Sequence, residues 1–66
     1  MPVYTVMAEA GDEDSPRLHN TASSSAIETL RRVSLFRRDG FKNIRVYREV
    51  ELIDELELRR AAAAEA

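Results

Sequence analysis

The spacing of hydrophobic positions changes period several times along the chain. Val3-Tyr4-Thr5-Val6-Met7-Ala8-Glu9-Ala10 is rich in β-branched and aromatic residues and predicts a strand ended by Gly11. Its two faces are Val3/Thr5/Met7 and Tyr4/Val6/Ala8/Ala10. The second has no hydroxyl-bearing β-branched residue and is the better one to bury. Gly11-Asp12-Glu13-Asp14-Ser15-Pro16 gathers turn formers and charge, so the chain reverses there. Arg17 to Thr21 then reads as a second strand in a hairpin with the first, with Leu18 as its one large apolar anchor.

From Ser23 to Asp39 the spacing becomes helical. At 100° per residue, Ala26, Leu30 and Val33 fall within about 60° of one another, and Ile27 extends the stripe. Ser23 is one N-cap candidate, while Ser25-Ala26-Ile27-Glu28 matches the capping box two residues later. Gly40 suits the left-handed C′ position, and the arginines in the second half complement the helix dipole. Lys42 to Val50 returns to alternation, with Ile44 and Val46 on one face and Arg45 and Tyr47 on the other, which predicts a third strand. The last segment, Ile53 to about Ala64, predicts a second helix. Asp54 is its N-cap candidate, Glu57 sits at capping-box distance, and Glu55 and Arg59 can pair at i, i+4. Leu52, Ile53 and Leu56 are close enough in angle to dock its first turns, and residues 61–66 are expected to fray.

These elements give an α+β fold of order β-β-α-β-α over a single small domain, residues 1–66. The expected sheet is three-stranded and antiparallel in the order 2-1-3, with one helix packed on a face and a short C-terminal helix. Such a sheet leaves its other face or its edges to solvent, to the second helix or to a partner.

Composition limits what this fold can carry. Of the 44% apolar residues, nine are alanines and five of those lie among the last six positions, which leaves twenty large apolar side chains for a core. Burying about 4,000 Å² of apolar area contributes about 100 kcal/mol. Ordering 66 residues at about 1.5 kcal/mol each costs nearly as much. Little structure remains to wall a deep, dry pocket, so function is expected on a surface and without catalysis.

The candidate chemistry is sparse. Without cysteine, disulfides and thiolate zinc sites are excluded, and a single histidine removes His-rich metal sites. His19 with Ser23-Ser24-Ser25 lacks the orienting carboxylate and oxyanion hole of a nucleophilic site, and a capping serine run near a surface histidine accounts for it. Asp12-Glu13-Asp14 begins like a calcium loop, but Pro16, Arg17 and Ser23 occupy the positions where that loop needs a ligand, a glycine and a glutamate. Gly11 and Gly40 stand alone, so no phosphate loop can be drawn. No cofactor, metal or small-molecule substrate is expected. The longest uninterrupted apolar run, Ala61 to Ala64, is far short of a membrane span, and the expectation is a soluble cytoplasmic chain.

Charge adds one feature. The net −2 is segmented: residues 1–16 sum to −4, residues 17–48 to +6, and residues 49–66 to −4. Within the basic middle, Arg31, Leu35 and Arg38 project from the first helix away from its apolar stripe, and Arg45 shares a strand face with Tyr47. These five residues are the candidate binding surface. A protein partner or a second copy of the chain is the leading expectation. The alternative is nucleic acid held by Arg31, Arg38 and Arg45 with a base stacked on Tyr47, although a pI near 5.3 departs from the usual basic signature.

Tyr4-Thr5-Val6, the Ser/Thr-rich entry to the helix, Gly40-Phe41-Lys42-Asn43-Ile44-Arg45-Val46 and Ile53-Asp54-Glu55-Leu56 together resemble short bacterial α+β proteins of no assigned function. The resemblance covers most of the chain, rests on structural punctuation, and implies no activity.

Overall fold

Tyr4, Val6 and Ala8 all point to one side of the first strand and are buried there, and the rest of the molecule is arranged over that side. The computed structural model describes residues 2–11 and 14–66, so the tip of the expected first hairpin, Asp12 and Glu13, lies outside the described residues. The order is β1 (Tyr4–Ala10), β2 (Arg17–Ser23), α1 (Ala26–Arg38), β3 (Lys42–Arg48), β4 (Glu51–Ile53) and α2 (Glu55–Glu65). The sheet is antiparallel in the order β2-β1-β3-β4. The expected order 2-1-3 is therefore extended by a fourth strand, and the three-stranded reading is corrected.

The cause is a two-residue turn with no turn chemistry. Arg48 pairs with Glu51, so Glu49 and Val50 alone reverse the chain. Glu49 adopts φ 56°, a left-handed conformation that normally selects glycine, asparagine or aspartate. Two contacts hold it there: its N–H donates to the carbonyl of Val3 at 2.8 Å, and its carboxylate accepts from the N–H of Val3 at 3.1 Å. Ile53, expected to open the second helix, consequently belongs to β4, as does Leu52, expected to dock that helix's first turns. Ile53 is buried under the helices, whereas Leu52 faces the other way. Leu56 is exposed as well, and α2 docks instead through Leu58 and Ala62, packing mainly on α1.

Helix α1 starts at Ser25, whose hydroxyl accepts from the N–H of Glu28 at 3.2 Å. The reciprocal half of the capping box is made by another residue, since the N–H of Ser25 donates to Ser23 Oγ at 3.1 Å. Ala26, Thr29 and Val33 are buried, Leu30 is half-buried, and Ile27 lies outside the stripe it was expected to extend. At the other end Gly40 has φ 84° and donates to the carbonyl of Arg37, while the N–H of Phe41 donates to the carbonyl of Phe36. That pair of bonds is the Schellman motif, and its hydrophobic clasp is the ring contact of Phe36 and Phe41 at 4.7 Å.

Register explains β2. His19 pairs with Ala8 and so shares the helix side of the sheet, where its ring meets Phe41 edge-on at 5.0 Å. Leu18, the expected anchor, lies on the opposite side and is 62% exposed. Helix α2 begins with Asp54 accepting from the N–H of Glu57 at 2.8 Å, and the Glu55–Arg59 pair forms at 3.7 Å. It continues through the alanines to Glu65, over the residues expected to fray. Ala62 is buried there, and the carboxylate of Glu65 receives the Ser25 hydroxyl at 2.8 Å together with the N–H of Ala26.

Candidate interaction surface

Because both helices lie on one side, no element among the described residues covers the other side of the four-stranded sheet. Strand alternation and register place its side chains in rows. Ala22, Thr5, Tyr47 and Leu52 form the first row, with Val3 beside it. Asn20, Met7 and Arg45 form the second, and Leu18, Glu9 and Lys42 the third. The face is apolar at the end near the β3–β4 turn and charged at the other. Val3, Leu18 and Leu52 are exposed, and Thr5, Met7 and Tyr47 are half-buried by their neighbours. Between Met7 and Glu9 the ladder carries a bulge at Asn43, whose φ of 52° is again left-handed and whose amide is held by Glu9.

The five candidate residues do not share a surface. Arg45 and Tyr47 sit on the uncovered face. Arg31, Leu35 and Arg38 project from α1 on the far side of the sheet, with Leu35 49% exposed. The residues that sequence reading missed on the open face are Thr5, Leu18 and Leu52, and a correct register for β2 together with the β3–β4 turn would have supplied them.

Most of the arginines are engaged by acids from elsewhere in the chain. Arg31 and Arg32 both reach Glu28, at 3.6 and 3.5 Å. Arg32 also donates to Thr21 Oγ1 and, at 3.1 Å, to the carbonyl of Ala22, tying α1 to the outer strand β2. Arg37 meets Glu55 at 3.2 Å, and Arg48 meets Glu57 at 2.7 Å and Glu51 at 3.3 Å. The hydrogen bond that Arg48 donates to Glu57, with the nearby carboxylates, pushes the Arg48 pKa up, because both stabilise the charged guanidinium. The acidic C-terminal segment thus neutralises part of the basic middle. Among the described residues Arg17, Arg38, Lys42, Arg45 and Arg60 have no ion-pair partner.

The carboxylate of Glu65 sits at the start of the first helix. The N–H of Ala26 and then the hydroxyl of Ser25 hold its pKa below the ordinary glutamate value, because both donate to the charged form. It caps α1 in trans, from the last turn of a different helix, and adds an anion at the positive end of the α1 dipole.

A groove of about 480 Å³ runs beside β3, where Ile44, Val46, Val33, Ile53 and Leu58 line it and Arg37, Arg45, Asp54, Glu55 and Glu57 surround it. No group of three or more His, Asp or Glu side chains among the described residues is placed to hold a metal. No helix among the described residues is long and apolar enough to cross a membrane. The sequence and fold match no protein-family model, no curated protein and no solved structure.

Proposed function

We propose that this chain is a non-catalytic interaction module that works by protein–protein contact, pairing with a second copy of itself through the open face of the sheet. The uncovered row Thr5, Tyr47 and Leu52, with Val3 and Met7 beside it, carries this reading. A soluble fold with so few large apolar side chains gains by covering such a row. The accessible surface, 4726 Å², agrees in sense, since surface scaling assigns a chain of this mass about 4,250 Å².

Three strands of seven residues and one of three present a footprint of roughly 380 Å² per copy, below the standard size for a specific interface, so the dimer is weak, with a Kd in the micromolar to millimolar range. Sedimentation equilibrium over a concentration series tests it. The native chain should move toward dimer mass as concentration rises, and Leu52→Glu, at a position 60% exposed and therefore tolerant, should remain monomeric. A native chain that stays monomeric at millimolar concentration removes the reading.

The nucleic-acid alternative draws on Arg45 beside Tyr47 but loses Arg31 and Arg38, which lie across the sheet from them, and most other arginines are spent on internal ion pairs. It predicts salt-dependent shifts of the Arg45 and Tyr47 amides on titration with short oligonucleotides.

A further inference from the structure

Strand β3 is longer than the strand beside it. Pairing with β4 covers only Val46 to Arg48, because β4 ends at Ile53 opposite Val46 and the chain then turns into α2 at Asp54. Among the described residues, the stretch from Lys42 to Arg45 therefore has β1 on one side and no strand on the other. The direction of its backbone groups follows from two observations. The N–H of Glu49 donates to Val3, so the odd-numbered residues of β3 address β1. The even-numbered Arg48 and Val46 face Glu51 and Ile53 across the β3–β4 ladder. Ile44, two residues earlier, points its N–H and C=O the same way and meets no strand. This is an open donor and acceptor pair on a sheet edge, the arrangement that accepts an added strand.

What flanks that edge selects the strand. The Ile44 side chain is half-buried at the edge of the core, and the groove beside it is lined by Val46 and Leu52, over the buried Val33 and Leu58. Three carboxylates also line it and are already held, Asp54 by the N–H of Glu57, Glu55 by Arg37 and Glu57 by Arg48, so a residue placed opposite Ile44 would put its own side chain into a slot with apolar walls and engaged acids. The residues on either side of that one would project to the open face, one opposite Arg45 and the other opposite the bulge at Asn43, with Lys42 one residue further along. Both of these cations lack an ion pair among the described residues, whereas the other arginine at the groove, Arg37, is already held by Glu55 at 3.2 Å.

We infer that the free edge of β3 from Lys42 to Arg45 is a strand-addition site for an extended acidic peptide of the pattern acid–apolar–acid, the apolar side chain entering the groove beside Ile44. The bulge at Asn43 keeps the free edge short, so recognition depends on the slot and the two cations as well as on backbone bonds. The apolar side chain enters on the helix side of the sheet, while the acids reach the open face at Arg45, next to the Thr5, Tyr47 and Leu52 row of the proposed dimer contact.

The test is an NMR titration of the full chain with a synthetic peptide holding Ser-Glu-Val-Glu-Ser, followed at the Ile44 amide and the methyl groups of Val33 and Leu58. The expected result is saturable shifts at all three, slowed exchange of the Ile44 amide, and affinity that falls several-fold between low and physiological salt. Arg45→Glu should weaken this peptide and favour its Ser-Lys-Val-Lys-Ser counterpart. Equal binding of both peptides by the native chain, silence at Ile44 with millimolar peptide, or shifts confined to Met7, Tyr47 and Leu52 would each overturn the assignment. Sedimentation of the same samples reads the dimer independently, so one proposal can fail without the other.

Discussion

Replacing Leu58 by alanine isolates the contact that holds the second helix. Leu58 has no exposed surface and sits in the core with Val33, Val46 and Ile53, whereas Leu56, two residues earlier on the same helix, is 59% exposed. Removing three carbons from a buried site costs about 2.4 kcal/mol in transfer free energy alone. A residual cavity adds to this, but the groove on the flank of Leu58 allows its neighbours to relax, which places the total near 3 kcal/mol, at the lower end of the range for such substitutions. A chain of this length has a total stability of roughly 3–10 kcal/mol, so the loss is a large fraction of it. In urea denaturation followed by far-UV circular dichroism, with a slope of about 1 kcal/mol per molar, the midpoint of Leu58→Ala should fall by about 3 M. Leu56→Ala should stay within about 0.5 kcal/mol of the native chain. If Leu58→Ala is too unstable to measure, Leu58→Met keeps the volume and should cost less than about 1.5 kcal/mol. Equal costs for Leu56→Ala and Leu58→Ala, or a cost under about 1 kcal/mol for Leu58→Ala, would show that α2 docks by a different face.

Glu65 links the end of α2 to the start of α1, and its depressed pKa fixes the direction of the pH dependence: the contribution is complete above the ordinary glutamate pKa and is lost as pH falls through the lower folded-state value. Urea midpoints measured from neutral pH into the acid range should fall less steeply for Glu65→Gln than for the native chain, and parallel curves would refute the trans cap. Gly40→Ala should cost about 1 kcal/mol, and so lower the melting temperature by about 5 °C, through backbone conformation alone, because φ is 84° and a Cβ there meets nothing within 4 Å. Gly40→Asn should recover part of that loss, and thermal melts of the two variants separate backbone strain from any clash.

Elements announced by local chemistry were legible in the sequence. Ser25, Asp54 and Gly40 mark helix ends where the structure has them, and the Tyr4/Val6/Ala8 face of β1 is the buried one. The reading broke down where a long-range contact overrides local preference. Glu49 turns the chain although glutamate rarely adopts positive φ, because Val3, far away in sequence, bonds it at two points. Without that turn β4 has no place, Ile53 falls at the start of the helix and Leu52 is read as docking its first turns. On β2 the expected anchor, Leu18, pairs with Glu9 on the open side, and His19, paired with Ala8, takes the helix side. The inward site lies against Phe41, where a histidine ring packs edge-on. Phe36 and Phe41 did carry a readable signal, since they occupy the C3 and C″ positions around Gly40 that a Schellman clasp requires. The candidate binding set mixed two faces because helix projection and strand alternation were each read correctly but without the topology that puts the sheet between them.

Segmented charge and a one-sided sheet have a common consequence. The acids after residue 48 fold back onto the basic middle, and they reach the arginines nearest α2 and the β3–β4 turn, namely Arg37 and Arg48. Beyond the reach of α2 the neutralisation stops, and β4 stops at the same place, because the residue that ends the strand, Ile53, is followed at once by the N-cap of that helix. Lys42 and Arg45 are thus left without counter-ions next to the stretch of β3 left without a strand. A longer β4 would extend past Val46 along the free edge and bring Asp54 and Glu55 opposite Arg45 and Ile44, supplying the missing ladder and the missing anions together. An extended segment from outside that satisfies this position must therefore carry both properties, a free backbone and negative charge.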